Sequence, residues 1–277
     1  MENKRLNNKV VLITGAAQGF GKGISLELAK EGANIAVTDI NKAGAELCAE
    51  QINAEFGENR AIGIAADVTD EMSVKSMVEE TVQHFGRLDI LISNAGIVIS
   101  GALDEMSKKN FDLVTAVNYT GYFLCAKYAS EVMKKQHEKE PHKFFDIIEI
   151  NSKSGLEGSN RNFAYAGSKF GGIGLTQSFA MELVQYNIKV NAICPGNYFD
   201  GSLWTDPEKG LFKQYLDSGK VPGSKTVEDV RKFYENKVPM KRGIQIEDMV
   251  RAILYIIEQE YETGQAVPVT GGQVMLS

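Results

Sequence analysis

Near its start the chain reads Lys9-Val-Val-Leu-Ile-Thr14, an apolar run that leads directly into the turn Gly15-Ala-Ala-Gln-Gly19-Phe-Gly21. The run predicts a buried strand, and the apolar spacing from Gly23 to Glu31 predicts a helix after the turn. Glycines at such a junction let the backbone approach a pyrophosphate, and the N-terminus of the helix attracts phosphate charge. The spacing is G-x-x-x-G-x-G rather than G-x-G-x-x-G, and a glycine-rich turn can also be only a turn. The motif therefore depends on support from the rest of the chain.

The same alternation of apolar runs and helical patterns continues to the end of the chain. Further strands are predicted at Asn34–Asp39, Ala61–Ala66, Asp89–Ser93, Phe145–Ile150, Lys189–Cys194 and Ala266–Val269. Helical patterns fill the gaps, at Asn41–Phe56, Ser73–Phe85, Phe111–Gln136, Phe163–Tyr186 and Ile246–Glu258. Continuous apolar strands that are each followed by a helix indicate a parallel sheet covered on both faces. We therefore predict an α/β fold, a single doubly wound Rossmann-type domain over residues 1–277 with about seven parallel strands.

Residues 197–242 depart from this alternation, between the sixth predicted strand and the last helix. The segment carries three prolines and two short helical patterns, and Thr226 with Asp229 three residues later predicts a helix N-cap. A connection this long is typical of a lid or binding segment. Its nine basic and seven acidic residues give it a charge of +2 and leave −8 for the rest, since the net charge is −6. This contrast favours an anionic substrate.

Composition limits the class of protein. A chain of 277 residues that is 43% hydrophobic and 24% charged is typical of a folded globular protein. No apolar run approaches the ~18 residues of a membrane helix, and no block of Lys and Arg indicates a nucleic-acid surface. The three cysteines are widely spaced, which favours free thiols in a reducing compartment over disulfides or a metal site. We expect a cytoplasmic protein that binds no metal, no nucleic acid and no membrane.

Polar residues that could hold a dinucleotide follow several predicted strands. Asp39 ends the second strand, 20 residues after Gly19, where a carboxylate accepts hydrogen bonds from an adenosine ribose and repels a 2′-phosphate. The alternative is a solvated or helix-capping Asp39. The third and fourth strands also end at the edge where open α/β sheets bind ligands. NAD is therefore the candidate cofactor, with contacts expected at Gly15, Gln18, Gly19, Phe20, Gly21, Asp39, Asp67, Val68, Asn94, Ala95 and Gly96.

Three further residues carry candidate chemistry. Tyr165 and Lys169 are four residues apart in a helical pattern, so both side chains lie on one helix face. An ammonium beside a phenol favours the phenolate, which suits proton exchange with a carbonyl/alcohol pair. Ser152 precedes Tyr165 by 13 residues and follows a predicted strand, so its hydroxyl could bind the same oxygen. A Y-x-x-x-K pair alone is usually surface helix, and only the combination with the serine and the glycine turn favours catalysis.

Together these motifs resemble the short-chain dehydrogenase/reductase family over nearly the whole chain. The matching residues are T-G-x-x-x-G-x-G at Thr14–Gly21, N-A-G at Asn94–Gly96, Asn118 in V-N-Y-T-G, Ser152, Tyr165, Lys169 and Pro195-Gly196. The usual N-N-A-G reads Ser93-Asn-Ala-Gly here.

The resemblance implies a role for each matching residue. Tyr165 is implied as the catalytic acid/base, and Ser152 as the group that polarises the substrate oxygen. Lys169 would hold the nicotinamide ribose, and Asn118 would anchor a water of the proton relay. Cofactor contacts by Tyr165, Lys169, Pro195 and Gly196, and a homotetramer with twofold axes, are implied as well.

Four segments resemble one group within that family, the sorbitol-6-phosphate 2-dehydrogenases, at Ile150–Gly155, Lys169–Ser178, Lys237–Gly243 and Val269–Met275. Members of that group oxidise sorbitol 6-phosphate to fructose 6-phosphate with NAD, so the resemblance implies a phosphorylated polyol or ketose as substrate. Candidate cations for its phosphate, each of which could also be an ordinary surface residue, are Lys153, Arg161, Lys241 and Arg242.

Other functions remain open at this point. A short-chain dehydrogenase could act on a non-phosphorylated polyol or another secondary alcohol. A ketoacyl reductase is opposed by Asp39, since such enzymes mostly use the phosphorylated cofactor. A nucleotide-binding regulator without turnover is the alternative outside enzymes, but such proteins commonly lose the tyrosine or the lysine, and both Tyr165 and Lys169 are present.

Overall fold

A parallel seven-stranded sheet forms the centre of the computed structural model, which describes residues 4–208, 210–217 and 219–275. Its strands are β1 (Val10–Thr14), β2 (Asn34–Asp39), β3 (Ala61–Ala65), β4 (Ile90–Ser93), β5 (Phe145–Ile150), β6 (Ile188–Pro195) and β7 (Ala266–Val269). The predicted α/β fold is confirmed, and each predicted strand agrees with the observed one to within one residue at either end.

The order of the strands fixes where a ligand can bind. Across the sheet it reads β3-β2-β1-β4-β5-β6-β7, so that β1 has β2 on one side and β4 on the other. The strands after β1 are therefore added on one side of it as far as β3, and those from β4 onward are added on its other side. In open α/β sheets this reversal creates a crevice at the carboxyl ends of the strands, which is the usual ligand site.

Helices cover both faces of the sheet. Successive β1 side chains are apolar and point to opposite faces, so both faces must be covered to bury them. The helices are α1 (Gly19–Lys30), α2 (Lys42–Phe56), α3 (Glu71–Phe85), α4 (Lys108–Thr115), α5 (Gly121–His137), α6 (Phe163–Leu183), α7 (Ser202–Thr205), α8 (Leu211–Asp217), α9 (Val227–Lys237) and α10 (Ile246–Glu258). Val11 and Ile13 enter a core with α1, α2 and α10, whereas Val10 and Leu12 enter a core with α3, α5 and α6. The doubly wound arrangement follows from this alternation.

The single helix predicted over Phe111–Gln136 is wrong in its middle. The structure has α4, then a π-helical turn at Ala116–Thr120, then α5, and the Gly121 N–H donates to the Ala116 carbonyl five residues back. Hydrophobic periodicity over a few residues does not reveal one wide turn, which shifts the helical pattern by about a single residue. The turn holds Asn118, which is 2% exposed, against the loop after β4.

The predicted lid folds around an aromatic cluster of its own. Its described part contains three helices, α7, α8 and α9, where two were predicted. Phe199, Trp204, Phe212 and Val230 are buried in this lid core, and α8 packs on both α7 and α9. Thr226 caps α9 as expected, in a reciprocal capping box in which the Asp229 side chain accepts from the Thr226 N–H.

The outer limits of these units stay predictions. Residues 1–3, 276 and 277 of the predicted domain, and 209 and 218 of the predicted lid, lie outside the described ranges. Among the helices within those ranges, none has the length and apolar character that a membrane span requires.

Candidate active site

The glycine turn after β1 is packed too tightly for side chains at two positions. Gly15 has φ +63°, and a Cβ there would stand 2.8 Å from the Ala95 Cα. A Cβ on Gly21 would stand 2.3 Å from the Gly15 carbonyl oxygen. Gly19, with φ +57°, faces open space instead. The backbone is therefore bare at the N-terminus of α1, where a ligand can approach it closely.

The first turn of α1 is suited to an anion. In the described chain, Gln18 precedes the helix without a side-chain cap, and the first turn carries no acidic residue. Its unpaired N–H groups are left for a ligand. Beside it lies a cleft of about 300 Å³ between α1 and the lid, lined in part by Gln18, Gly19, Lys22, Tyr198 and Asp200. The Phe20 ring stacks on Tyr198 at 4.6 Å between centroids. The N–H donors of this turn fit a dinucleotide pyrophosphate, and the Asp200 carboxylate in the cleft is paired with Arg231.

Asp39 lies half-buried at the end of β2, next to the glycine turn. Its Oδ2 accepts from the Ala17 N–H at 3.0 Å, and its Oδ1 accepts from the Asn41 N–H at 2.9 Å. The residue that caps α2 is Asn41, whose side chain accepts from the Gly44 N–H, so Asp39 is not the helix cap. Nearby Lys42 lies 3.6 Å from Glu46 Oε1. A fixed carboxylate at this place fits ribose hydroxyls and opposes an added phosphate.

The loop after β4 is fastened to the glycine turn. Asn94 Nδ2 donates to the carbonyls of Thr14 and Gly15, both at 2.9 Å. The Ala95 N–H donates to Thr14 Oγ1 at 3.0 Å. Gly96 follows, beside the Asn118 amide. The structure thus brings the predicted residues after β1 and β4 together.

The remaining cofactor candidates line the same edge of the sheet. Asp67 Oδ1 accepts from the N–H and the hydroxyl of Thr69, and Val68 packs against Gly121. Pro195 ends β6, and the Gly196 N–H donates to the Val269 carbonyl at 2.9 Å. These residues end β6 and follow β3, at the carboxyl edge where the crevice opens.

Tyr165 and Lys169 lie on α6, and Ser152 begins the turn against which that helix packs. Lys169 is 4% exposed, its Nζ donates to the Ile150 carbonyl at 2.7 Å, and it stands 6.0 Å from the centroid of the Tyr165 ring. Ser152 Oγ accepts from the Ser154 N–H at 3.1 Å. Tyr165 and Ser152 are both half-buried, which leaves their hydroxyls within reach of a substrate.

Asn118 uses its whole side chain for local structure. Its Oδ1 accepts from the Ile97 N–H at 2.9 Å, and its Nδ2 donates to the Ile97 carbonyl at 3.0 Å and to Ser168 Oγ at 3.1 Å. Ser168 Oγ in turn donates to the Tyr165 carbonyl. Asn118 therefore joins the loop after β4 to α6, and both donors of its side-chain amide are used in that link.

Two residues that matter to this geometry were not predicted. Asn151 Oδ1 accepts from the Ser152 N–H, while its Nδ2 donates to the Lys169 carbonyl and to Glu149 Oε2. Glu149 is 1% exposed, and its Oε1 lies 3.7 Å from Lys169 Nζ. Burial raises the pKa of the Glu149 carboxyl, although the charge of Lys169 opposes this. The available signal was an acidic residue in a buried strand that is apolar except for Asp146.

The four candidate phosphate ligands differ in how free they are. Lys153 Nζ lies 3.5 Å from Glu157 Oε1, and Arg161 pairs with Glu105 at 2.5 Å. Arg242 makes two hydrogen bonds to the Asp248 carboxylate. Lys241 Nζ donates to the Asn236 carbonyl. Arg242 is the poorest fit, because its partner also caps α10.

A family model described as short chain dehydrogenase matches residues 9–204, a range that includes the glycine turn, Ser152, Tyr165 and Lys169. The chain belongs to this family.

Similar short-chain dehydrogenases extend over almost the full length of the chain. Sorbitol-6-phosphate 2-dehydrogenase of Escherichia coli is 38% identical over 271 residues, which cover 97% of this chain and 99% of that protein. The crystal structure of sorbitol-6-phosphate 2-dehydrogenase from Erwinia amylovora has a TM-score of 0.87 at 37% identity, covering 96% of this chain and all of that one. The structure of an NAD⁺-bound xylitol dehydrogenase has a TM-score of 0.85 at 31% identity, covering 97% and 100%.

Proposed function

We propose that the protein is an NAD-dependent dehydrogenase that interconverts a phosphorylated sugar alcohol and its ketose phosphate, with sorbitol 6-phosphate and fructose 6-phosphate as the pair. The observation that carries the proposal is the 38% identity, over 97% of this chain, to an enzyme of that activity. The Lys169–Tyr165 arrangement at the ligand-binding edge supports the same reaction type.

Tyr165, Ser152 and Lys169 divide the proton chemistry between them. NAD, when bound, supplies the hydride acceptor. Tyr165 in its phenolate form takes the proton from the substrate hydroxyl during oxidation and returns it during reduction. The Ser152 hydroxyl holds the same substrate oxygen. The Lys169 ammonium favours the phenolate through its charge, and the donors that it does not spend on the Ile150 carbonyl are left for ribose hydroxyls.

NAD rather than NADP is proposed because of Asp39. The carboxylate is held by two backbone N–H groups beside the glycine turn, where a 2′-phosphate would meet it. The NAD⁺-bound state of the similar xylitol dehydrogenase supports the same choice.

A terminal phosphate would decide which hydroxyl of a flexible polyol reacts. We expect kcat/KM for sorbitol 6-phosphate to exceed that for sorbitol by about tenfold or more, since a charge-assisted contact contributes roughly 1.5–3 kcal/mol.

Lys153 is the first candidate for the cation that binds this phosphate, because it adjoins Ser152. Lys153→Met is expected to raise KM for the phosphorylated substrate and to leave KM for sorbitol nearly unchanged, which initial rates of NADH formation measure.

Arg242→Met serves as the matched control, because that cation is held by Asp248. Equal turnover of sorbitol and its phosphate by the unmodified protein would refute the substrate class. If none of Lys153, Arg161 and Lys241 affects the difference, the substrate class stands and the phosphate site is misassigned.

A non-phosphorylated polyol or other secondary alcohol is the second candidate substrate. The observation in its favour is that Lys153, Arg161 and Arg242 each face a carboxylate of this chain, which a phosphate would have to displace. The same comparison of sorbitol with its phosphate separates the two substrates.

We also propose a homotetramer in the cytoplasm. Large apolar side chains remain exposed on α4, α5 and α6, among them Phe111, Phe123, Phe170 and Met181. The free, buried cysteines support a reducing compartment. Light scattering at micromolar concentration is expected to give about four times the chain mass of 30.4 kDa. A mass equal to that of one chain would contradict the proposal.

A further inference from the structure

A buried carboxyl group lies directly behind the catalytic lysine. Glu149 is on β5 with 1% of its side chain exposed, and its Oε1 is 3.7 Å from Lys169 Nζ. Its Oε2 accepts from Asn151 Nδ2 at 2.8 Å, whereas Oε1 has no hydrogen-bond partner in the described part of the chain. A buried carboxylate requires a partner for its charge, and Lys169 is the cation beside it.

Helix α6 has a glycine where this carboxyl group lies. A Cβ on Gly172 would stand 2.3 Å from Glu149 Oε1. On the same helix, a Cβ on Gly174 would meet nothing within 4 Å. Gly172 therefore provides the space that lets Glu149 reach Lys169.

The other groups that face Glu149 supply no positive charge. On α5, Tyr122 bonds Thr176 Oγ1 through its hydroxyl, and burial followed by the Glu149 charge raises the pKa of that phenol. On β6, burial raises the pKa of Cys194 to about 12, and Glu149 contributes to this. Lys169 is thus the one cation among these neighbours, and it lies between Glu149 and the active-site crevice.

We propose that Glu149 is a positioning residue that acts through Lys169. The Ile150 carbonyl accepts one N–H of the ammonium, and the Glu149 carboxylate attracts the ammonium from 3.7 Å without a hydrogen bond, so that the other N–H groups stay available to the crevice. The negative charge also cancels part of the lysine's effect on Tyr165, and this sets the pH at which the phenolate forms. The inference rests on the proposed roles of Tyr165 and Lys169.

Glu149→Gln tests this directly, because it removes the charge and keeps the shape and the oxygen that Asn151 bonds. Ionisation of Tyr165 is measured without substrate, from the near-ultraviolet absorbance of tyrosinate. The Tyr165 signal is the difference between each protein and the same protein that also carries Tyr165→Phe. We expect that ionisation to move to lower pH by about half a unit or more, since a nearby negative charge opposes phenolate formation. The pH profile of kcat for alcohol oxidation should shift in the same direction.

Asp146→Asn is the matched control. It removes the other buried carboxylate of β5, which pairs with Lys189 at 3.0 Å and not with Lys169, and it should leave the Tyr165 ionisation in place. Glu149→Asp keeps the charge and should stay close to the parent protein. An equal shift in Glu149→Asp and Glu149→Gln would assign the effect to packing and overturn the proposal.

The outcomes separate this inference from the proposed function. An unchanged Tyr165 ionisation in folded Glu149→Gln overturns the inference, even if polyol phosphates are substrates. A shifted ionisation with no turnover of polyol phosphates supports the inference and refutes the proposed substrate. If Glu149→Gln does not fold, a shift in Glu149→Asp as large as half a unit overturns the role of the charge.

Discussion

Tyr165→Phe is expected to lower kcat for alcohol oxidation by about 10²-fold or more, while the affinity for NADH changes little. The substitution removes the hydroxyl that exchanges the proton and keeps the ring that stands beside Lys169 on α6. Steady-state rates give kcat, and the fluorescence of bound NADH gives the affinity.

Tyr261→Phe is the control for this experiment, since Tyr261 is 99% exposed and remote from the crevice in sequence and fold. It should leave both constants unchanged. Substantial turnover by the Tyr165 variant would refute the proposed proton transfer. A large loss of NADH affinity would instead place the main role of Tyr165 in cofactor binding.

With the unmodified protein, kcat/KM should favour NAD over NADP by about 30-fold to 150-fold, which corresponds to roughly 2–3 kcal/mol. The physical cause is the Asp39 carboxylate, which would face the 2′-phosphate without a cation between them. Asp39→Asn removes the charge and keeps one of the two oxygens that accept from the Ala17 and Asn41 N–H groups, so the ratio should fall toward one.

Asp67→Asn provides the comparison, because Asp67 lies on the same edge but bonds Thr69. It should change both cofactors alike and leave their ratio intact. Comparable kcat/KM for NAD and NADP in the unmodified protein would overturn the assignment of Asp39.

Features set by short stretches of chain could be predicted from the sequence. β2 is a mainly apolar run with polar ends, β5 is an apolar run interrupted by Asp146 and Glu149, and the bounds of both agree with the structure. The capping box of Thr226 and Asp229 depends on residues three apart, so it was visible as well. Residue spacing predicts these features because they depend on groups that are close together along the backbone.

Features that depend on distant partners could not be predicted in the same way. The π-turn at Asn118 is held by Ile97, 21 residues away, and the Arg161–Glu105 pair spans 56 residues. Glu149 is visible in the sequence as a charged residue within β5, but its role depends on Lys169, which lies on the next helix. The spacing of residues in the sequence identifies the residue types of this site, but the contact partners of each residue are known only from the fold.

The lid core has a consequence for how specificity can change. Phe199, Trp204 and Phe212 pack on one another, with centroid separations of 4.9–5.8 Å, instead of joining either core of the sheet. The segment therefore packs as a unit of its own, and we expect its sequence to tolerate change without repacking β5 and α6, next to and on which Ser152, Tyr165 and Lys169 lie. If the segment forms a wall of the substrate pocket, as its prediction as a lid implies, we expect new substrates to become accessible through change in this single stretch of chain.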